Sequence, residues 1–598
     1  MSLDILEQSD FASGMFRSTA PHAIPENGCF DALNSVLTDD GSVKSRGGST
    51  YLSPTAFGTS LSWIWDGHLA AGPRTVIANS SNFGVLDATE TPVTLAGLSV
   101  AGLTGPTRAV EVGGLLFVGG GTVYAGSRKP SDYTTGTVSL TLSSKTVTGA
   151  GTTWAGTIDA GGLFALTSGR YYAIASVDSD TQITLADPYE GATASGQTYA
   201  VRVIRPANAP YKLAEHYAVV GDRLLAASGR RVDFSEGRST TGVMRPHSFP
   251  VNNFHLLPDG VEITGIEGVG DTALIFTTGG LWTISNMAQD LVDDFGNPQQ
   301  TMAQVSRDLI LWSHAGIASW SNGLLVPAVD GVWLVGTNGV RSLDSVSAPT
   351  RLTNSITNLY TDYVRLGYKT GRGVVHRNHY YLPILDAGST PKDLLVCRLD
   401  RPVRTRVGLV FPWTHFNGTG GSLTALATRV GSVSRSPVLI GAAHGSGRVV
   451  TLPYFDLSAT NRKDHDGSTF RWELTTRDYA TGRRPVENYV RRLRARYELK
   501  EGGTDLPKIR AAVGTGERQV AQAEWGLFDW GQASWGSSDS EEYVGLTGEA
   551  PTDKGLNPYT WSVDQRSRFI RFRLQSSAPT ASLVLRSLEL SVRQSNKA

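Results

Sequence analysis

A short unit recurs along this chain, and it constrains the fold more than any other feature. A turn residue leads into an apolar strand, a glycine-rich turn follows, and a second apolar strand closes the unit. Clear copies are "GGLLFVGGGTVYAG" from Gly113, "GDRLLAASGRRVDFS" from Gly221, "GDTALIFTTGGLWTIS" from Gly270 and "NGLLVPAVDGVWLVG" from Asn322. Fainter copies are "RTVIANSSNFGVLD" from Arg74, "NHYYLPILDA" from Asn378 and "SPVLIGAAHGSGRVVTL" from Ser436. From Gly221 to Asn378 the copies are each about 50 residues apart, which is the spacing of kelch-like propeller blades. A blade is a small sheet that buries its faces only against its neighbours, so several must close into a ring. Seven copies predict an all-β chain with a propeller of about six or seven blades. Generic hairpins in separate sandwiches are the alternative, and the regular spacing favours the propeller.

The period breaks once. Residues 133–205 contain "GTVSLTLSSKTVTGAGTTW" and "YYAIASVDSDTQITLADPYEGATASG", which alternate apolar and polar residues between turns. They predict an inserted small β-sandwich or barrel that leaves and re-enters at a blade loop, where insertions are best tolerated. From residue 456 the strands lengthen, as in "NYVRRLRARYELK", "RSRFIRFRLQ" and "ASLVLRSLELSVRQ". In the last, Leu588, Leu590 and Val592 alternate with Glu589, Ser591 and Arg593, the pattern of a half-buried antiparallel strand. The expected division is therefore 1–132 for an N-terminal segment and the first blades, 133–205 for the insertion, 206–455 for the remaining blades and 456–598 for a C-terminal antiparallel β-domain.

Charge and cysteine narrow the function. Lys plus Arg and Asp plus Glu both number 54, so the chain has no net charge to grip phosphates, though DNA can still slide past it. Cys29 and Cys397 lie far apart and outside any CxxC pattern, which predicts two free thiols and a reducing compartment. The start "MSLDILEQSDF" lacks a signal-peptide pattern, and no apolar run approaches the roughly 18–20 residues of a membrane span. A soluble chain with no membrane-spanning segment is expected.

Catalytic motifs are missing: there is no GxSxG elbow, no GxxxxGK[ST] loop and no GxGxxG opening a helix. His376 and His379 in "VVHRNHYYL" fall on opposite faces of a continuous strand, so a shared metal would need a turn between them. "KDHDG" at 463–467 resembles part of a Ca²⁺ loop but lacks its later acidic ligand, and reads as a polar linker. No enzyme, cofactor or metal is expected. Two features suit an interface. Arg492, Arg494 and Arg496 share one face of a strand, as a solvated face or as a surface for acidic groups of a neighbouring subunit or passing DNA. "EWGLFDWGQASWG" spaces Trp525, Trp530 and Trp535 five apart, which suits a loop docking aromatics singly onto its own core or a partner.

The segment "LNSVLTDDGSVKSRGG" at 33–48 precedes the repeats. With its Asn34, Asp40-Gly41, Arg46 and Gly48, it resembles the opening of tail nozzle or hub proteins of short-tailed bacteriophages. Those proteins often carry Pro where this chain has Gly47, which predicts a looser turn here. The insertion and the C-terminal strands are similar in style to β-domains of phage tail proteins. The resemblance implies a structural virion protein, made in the host cytoplasm and placed in the phage tail. It implies a hexameric ring below the head-to-tail adaptor, a channel for double-stranded DNA during ejection, and attachment of tail fibres or a tail tip or needle. The opening segment would then lie against the propeller as a structural strand pair. A receptor- or glycan-binding tail protein, and an envelope polysaccharide-degrading enzyme with two carboxylates in a cleft, are the competing readings.

Overall fold

A computed structural model gives the architecture. It describes residues 3–593 except the segments 96–107, 167–169, 207–211, 239–242, 288–299, 337–349, 406–407, 419–420, 431–435, 455–462, 481–487, 503–508, 516–543, 546–554 and 577–580, and the single positions 80, 121, 322 and 568. The fold is all-β, as the repeats predict; Thr357–Arg365 is the one α-helix among the described residues.

Six four-stranded sheets and one end of a twelve-stranded sheet form a seven-bladed propeller. Each blade runs outward from an inner strand. The inner strands are Trp63–Leu69 in blade 1, Ala109–Val112 in blade 2, His216–Val220 in blade 3, Ile263–Val269 in blade 4 and Ala318–Trp320 in blade 5. Blade 6 has a split inner strand, Lys369–Thr370 and Val374–His376, and blade 7 begins with Leu423–Val430. Six of the seven sequence copies fall on the central hairpins of these blades, and the copy from Asn378 falls on one central strand of blade 6, His379–Leu385.

The apolar runs now have a cause. Blade strands are covered on both faces, so successive residues feed different cores and every position is apolar. In blade 2, Leu116 packs with Trp63 and Phe83 of blade 1, while Phe117 packs with Tyr217 and Leu224 of blade 3. The pattern continues between blades 3 and 4, 4 and 5, 5 and 6, and 6 and 7. A seventh core, with Ile64 and Ile77 against Ala425 and Ile440, joins blade 7 to blade 1 and closes the ring. At about 1.5–3 kcal/mol for each large buried side chain, these shared cores hold the ring together.

Blade 7 takes its outer strand from the other end of the chain: Thr50–Tyr51 pairs with Val449–Thr451. The insertion enters between the third and fourth strands of blade 2, Thr122–Tyr124 and Ile204–Pro206. It is a seven-stranded sheet wrapped around Trp154, whose indole N–H donates to the Tyr199 hydroxyl at 2.8 Å.

The C-terminal domain is a sandwich, and the N-terminal strands belong to it rather than to the first blades. One sheet orders Ser35–Leu37, Val43–Ser45, Ala581–Arg593, Asn488–Gly502 and Gly555–Ser567, with Leu3–Gln8 also on Ala581–Arg593. The other includes Gly28–Leu33, Trp472–Thr476, Phe569–Ser576 and Ile509–Thr515. Phe11, Cys29 and Val43 sit in the same core as Trp472, Leu493 and Leu590. The N-terminal segment of 1–132 thus pairs with strands from beyond residue 456, since alternation reveals a strand but not which distant strand will pair with it. The second sheet continues into blade 6, since Leu33 pairs with His415 on that blade's outer strand, Trp413–Phe416.

Candidate functional site

The arginine face lies on the strand Asn488–Gly502. Arg492 and Arg496 are exposed and Arg494 half-buried, alternating with buried Leu493, Ala495 and Tyr497. Glu589, directly across from Arg494, accepts from Arg496 at 2.7 Å and lies 3.5 Å from Arg494. Arg492 stands between Ser591 and Ser562, with no carboxylate in ion-pair range among the described residues. Such surface pairs are worth about 0–1 kcal/mol, so this face does not hold the sandwich together. Trp525, Trp530 and Trp535 lie outside the described residues.

The opening segment builds something stronger. Residues 41–49 are all buried. Arg46 and Asp464 are both completely shielded from solvent and form a two-pronged pair at 2.8 and 2.9 Å. The remaining Arg46 N–H groups donate to Asn34 Oδ1 at 2.9 Å, Gly47 O at 2.9 Å and Asn417 O at 3.2 Å, so all five donors are used. Its guanidinium lies 3.8 Å from the Phe470 ring centre and faces Tyr454 and Phe416. Asn34, at φ +52°, donates to Arg471 O at 2.6 Å and Asn417 Oδ1 at 2.9 Å. Propeller residues 416, 417 and 454 are thereby tied to sandwich residues 470 and 471. The 463–467 stretch, read as a polar linker, supplies the buried carboxylate.

The glycines in this segment are required by space. A Cβ on Gly48 would lie 2.0 Å from the Lys463 carbonyl oxygen, and one on Gly47 2.5 Å from that of Pro453. Gly47 donates its N–H to Tyr454 O at 3.2 Å, so the turn is anchored, not loose. Asp40 accepts from Thr38 and Ser42 hydroxyls, both at 2.6 Å, and Gly41 takes φ +78°, the expected Asp-Gly turn.

Beside this clamp, His415 bridges two carboxylates. Nδ1 donates to Asp393 and Nε2 to Asp31, each at 2.9 Å. Arg17 pairs with Asp31 at 2.9 Å, and the Tyr363 hydroxyl donates to Asp393 at 2.8 Å. Burial opposes a charged imidazole, but Asp393 and Asp31 outweigh it and raise His415 to about 10. Burial likewise works against the Asp31 carboxylate, but His415 and Arg17 hold it well below the usual range.

A third cluster lies on the propeller axis and was not singled out from the sequence. Each blade contributes one charged or imidazole side chain: Asp66, Arg108, His216, Glu267, His314, Arg372 and Arg429 in blade order. Arg108 of blade 2 pairs with Glu267 of blade 4 at 2.6 Å and donates to Ile317 O beside blade 5. His314 Nε2 reaches Glu267 at 3.1 Å, and its ring stands edge-on to His216, 5.0 Å between centres. Arg429 pairs with Glu90 at 2.5 Å and lies 3.9 Å from Asp66, which accepts from Thr75 at 2.5 Å. Burial pushes the Asp66 carboxyl up to about 6. Burial, reinforced by His314, pulls His216 down to about 3. Arg372 of blade 6 donates across to Ile64 O of blade 1. Side chains that cross the axis in this way leave no room for a DNA duplex through the propeller's own bore.

The signal for Arg372 was "TGRGVV". Gly371 and Gly373 split the blade 6 inner strand because a Cβ on either would collide with a neighbouring blade, 2.0 Å from Thr424 O and 2.7 Å from Gly316 O. The histidine pair also has a turn: Arg377 and Asn378 take φ +47° and +59°, and His376 and His379 stand directly opposite. Among the described residues, no three His, Cys, Asp or Glu side chains are grouped to hold a metal. Both cysteines are buried and free. No helix among the described residues is long and apolar enough to cross a membrane.

No family model matches the chain, and no curated protein does. Some solved structures are distantly similar to it. The Neurospora crassa Pan2 WD40 domain is 9% identical, over 70% of this chain and 97% of its own, with TM-score 0.32. The extracellular domain of the one-component system BT4673 from B. thetaiotaomicron is 8% identical, over 91% and 63%, with TM-score 0.33. The phage phi92 endosialidase is 12% identical, over 66% and 63%, with TM-score 0.23. This chain thus spans under two thirds of the last two. Likenesses of this size say nothing about function.

Proposed function

We propose that this chain is a structural protein of a short-tailed phage tail, a nozzle or hub whose copies form a ring, and that it has no catalytic role. One observation carries the reading. Of the residues through which the sequence resembles that family, Asn34, Arg46 and Gly48 are spent on a buried joint between propeller and sandwich, and Asp40 and Gly41 on the turn that leads into it. The resemblance is therefore one of architecture. With side chains crossing the propeller axis, DNA passes between copies, through the centre of the ring. The exposed Arg492, Arg494 and Arg496 face supplies one contact between neighbours.

The test is the assembly state of the full chain, alone and with a portal–adaptor complex, by mass photometry and class averages in cryo-electron microscopy. A ring of six copies with a central opening is expected, and its loss in the Arg492→Glu/Arg494→Glu/Arg496→Glu variant. A strict monomer that neither assembles on the adaptor nor rings refutes the proposal. Binding of the isolated monomer to host cells or glycans would replace it with the receptor-binding reading.

A further inference from the structure

The turn in "VVHRNHYYL" borders a cavity. It measures about 90 Å³ and lies in the seam between blades 6 and 7, where its lining includes His376, Arg377 and Tyr381 of blade 6 and Val438, Leu439 and Leu452 of blade 7. Tyr381, Leu439 and Leu452 otherwise belong to the packed core that these blades share. Cores hold few voids of this size, because the atoms that line one lose contacts on that side. An apolar group that enters restores those contacts.

Two polar groups flank this apolar space. His376 is only 7% exposed, and its Nδ1 has no hydrogen-bond partner. A ring nitrogen in that state has given up its hydration without replacement. Burial, with repulsion from Arg377, pulls His376 down to about 4, so its imidazole is neutral and offers either an N–H or a lone pair. Arg377 is exposed, as is Val438 at 37%, and both stand where the cavity meets solvent. The Arg377 guanidinium makes no ion pair among the described residues. Its main chain is fixed, however: His379 Nδ1 donates to Arg377 O at 2.8 Å, and Leu399 N–H donates to Asn378 O at 2.9 Å. A ligand therefore meets a mouth whose backbone is already ordered.

We propose that this cavity takes a short aliphatic carboxylate, with its alkyl end against Tyr381, Leu439 and Leu452 and its carboxylate on Arg377 and the His376 imidazole. The planar guanidinium fork matches the two oxygens of a carboxylate. Volume sets the alkyl end. A cavity of about 150 Å³ takes benzene, so one of about 90 Å³ admits about four carbon atoms. That is too little for a sugar ring, and it fits the branched end of isovalerate or the side chain of a C-terminal leucine. A free acid and a chain end present the same chemistry here. The site is independent of the ring reading, since blades 6 and 7 of one chain contain all of it.

The experiment is a set of ligand-observed NMR titrations of the full chain. The probes are isovalerate, its neutral analogue isopentanol, a tripeptide ending in leucine, and the same tripeptide with an amidated terminus. Saturable binding of isovalerate or of the free-ended tripeptide is expected, at least about tenfold tighter than that of its neutral counterpart. Isovalerate alone marks a free acid as the source; the tripeptide, with or without isovalerate, marks a chain end. Arg377→Gln should erase the preference for the charged probe while leaving Tm unchanged, because the side chain is exposed and either residue bears the same turn conformation. Val438→Trp, at a second exposed position, should close the mouth and weaken all binding. The site is overturned if neither charged probe binds saturably, if charged and neutral probes bind equally, or if either variant binds as the parent does.

Discussion

Replacing Asp464 with Asn removes one charge from the joint and almost no volume. The Arg46 guanidinium then stays buried with its two shortest charged contacts, 2.8 and 2.9 Å, lost or weakened. Stranding one member of a buried pair costs about 3–5 kcal/mol. Arg46→Met strands Asp464 instead and also leaves Gly47 O and Asn417 O without a donor, at about 1–3 kcal/mol each. The combined variant carries no buried charge, so its cost should fall short of the summed single costs by about 3 kcal/mol. Guanidinium chloride unfolding, followed by tryptophan fluorescence, measures all four proteins. Propeller and sandwich are separate cores, so the variants should also show two transitions where the parent shows them merged. Additivity to within about 0.5 kcal/mol would mean that Arg46 and Asp464 act independently, and the clamp would be refuted.

Three further outcomes follow. Gly47→Pro, which installs the residue common in phage nozzles, should destabilise the chain by about 1–3 kcal/mol by removing the N–H given to Tyr454 O and pressing on Pro453 O; an unchanged unfolding midpoint would contradict this. His415 is raised from 6.5 to about 10, so its contribution is complete below pH 6.5 and disappears as pH rises through 10; the parent should lose about 3–5 kcal/mol relative to His415→Gln between pH 6.5 and 10.5, and parallel pH curves would refute it. Burial pushes both Cys29 and Cys397 thiols up, so a disulfide reagent should label neither in the folded chain and both after unfolding.

Propeller blades are legible because each is local: two neighbouring apolar strands and a turn specify the unit, and six were visible as hairpins and the seventh as a single strand. Long-range partners were not. Arg46 and Asp464 lie 418 positions apart, and nothing near either residue names the other. "KDHDG" looked like a solvated linker because its carboxylates are polar in any setting; only the fold shows that Asp464 is completely enclosed. The arginine face was legible from strand alternation alone, since Leu493, Ala495 and Tyr497 mark the buried side. The axial cluster was the hardest to see. Its members are single residues scattered from Asp66 to Arg429, and a ring of inner strands brings them together only after it closes. Glycines flanking Arg372 were the one local hint, and among 67 glycines they did not stand out.

The outer strand of blade 7 also sets a clock. Tyr51 pairs with Val450, and Leu3 with Arg593. At about 5–20 residues per second, the ribosome needs roughly 20–80 s after making Tyr51 before its partner exists, and longer for Leu3. During that interval Leu3–Gln8 and Thr50–Tyr51 lack their partners and are open to any neighbouring nascent chain. Many copies made together on one message would meet in that state. Successful production of this protein therefore depends on how quickly its last strands arrive, and slow synthesis late in the chain should lower the yield of soluble protein more than slow synthesis early.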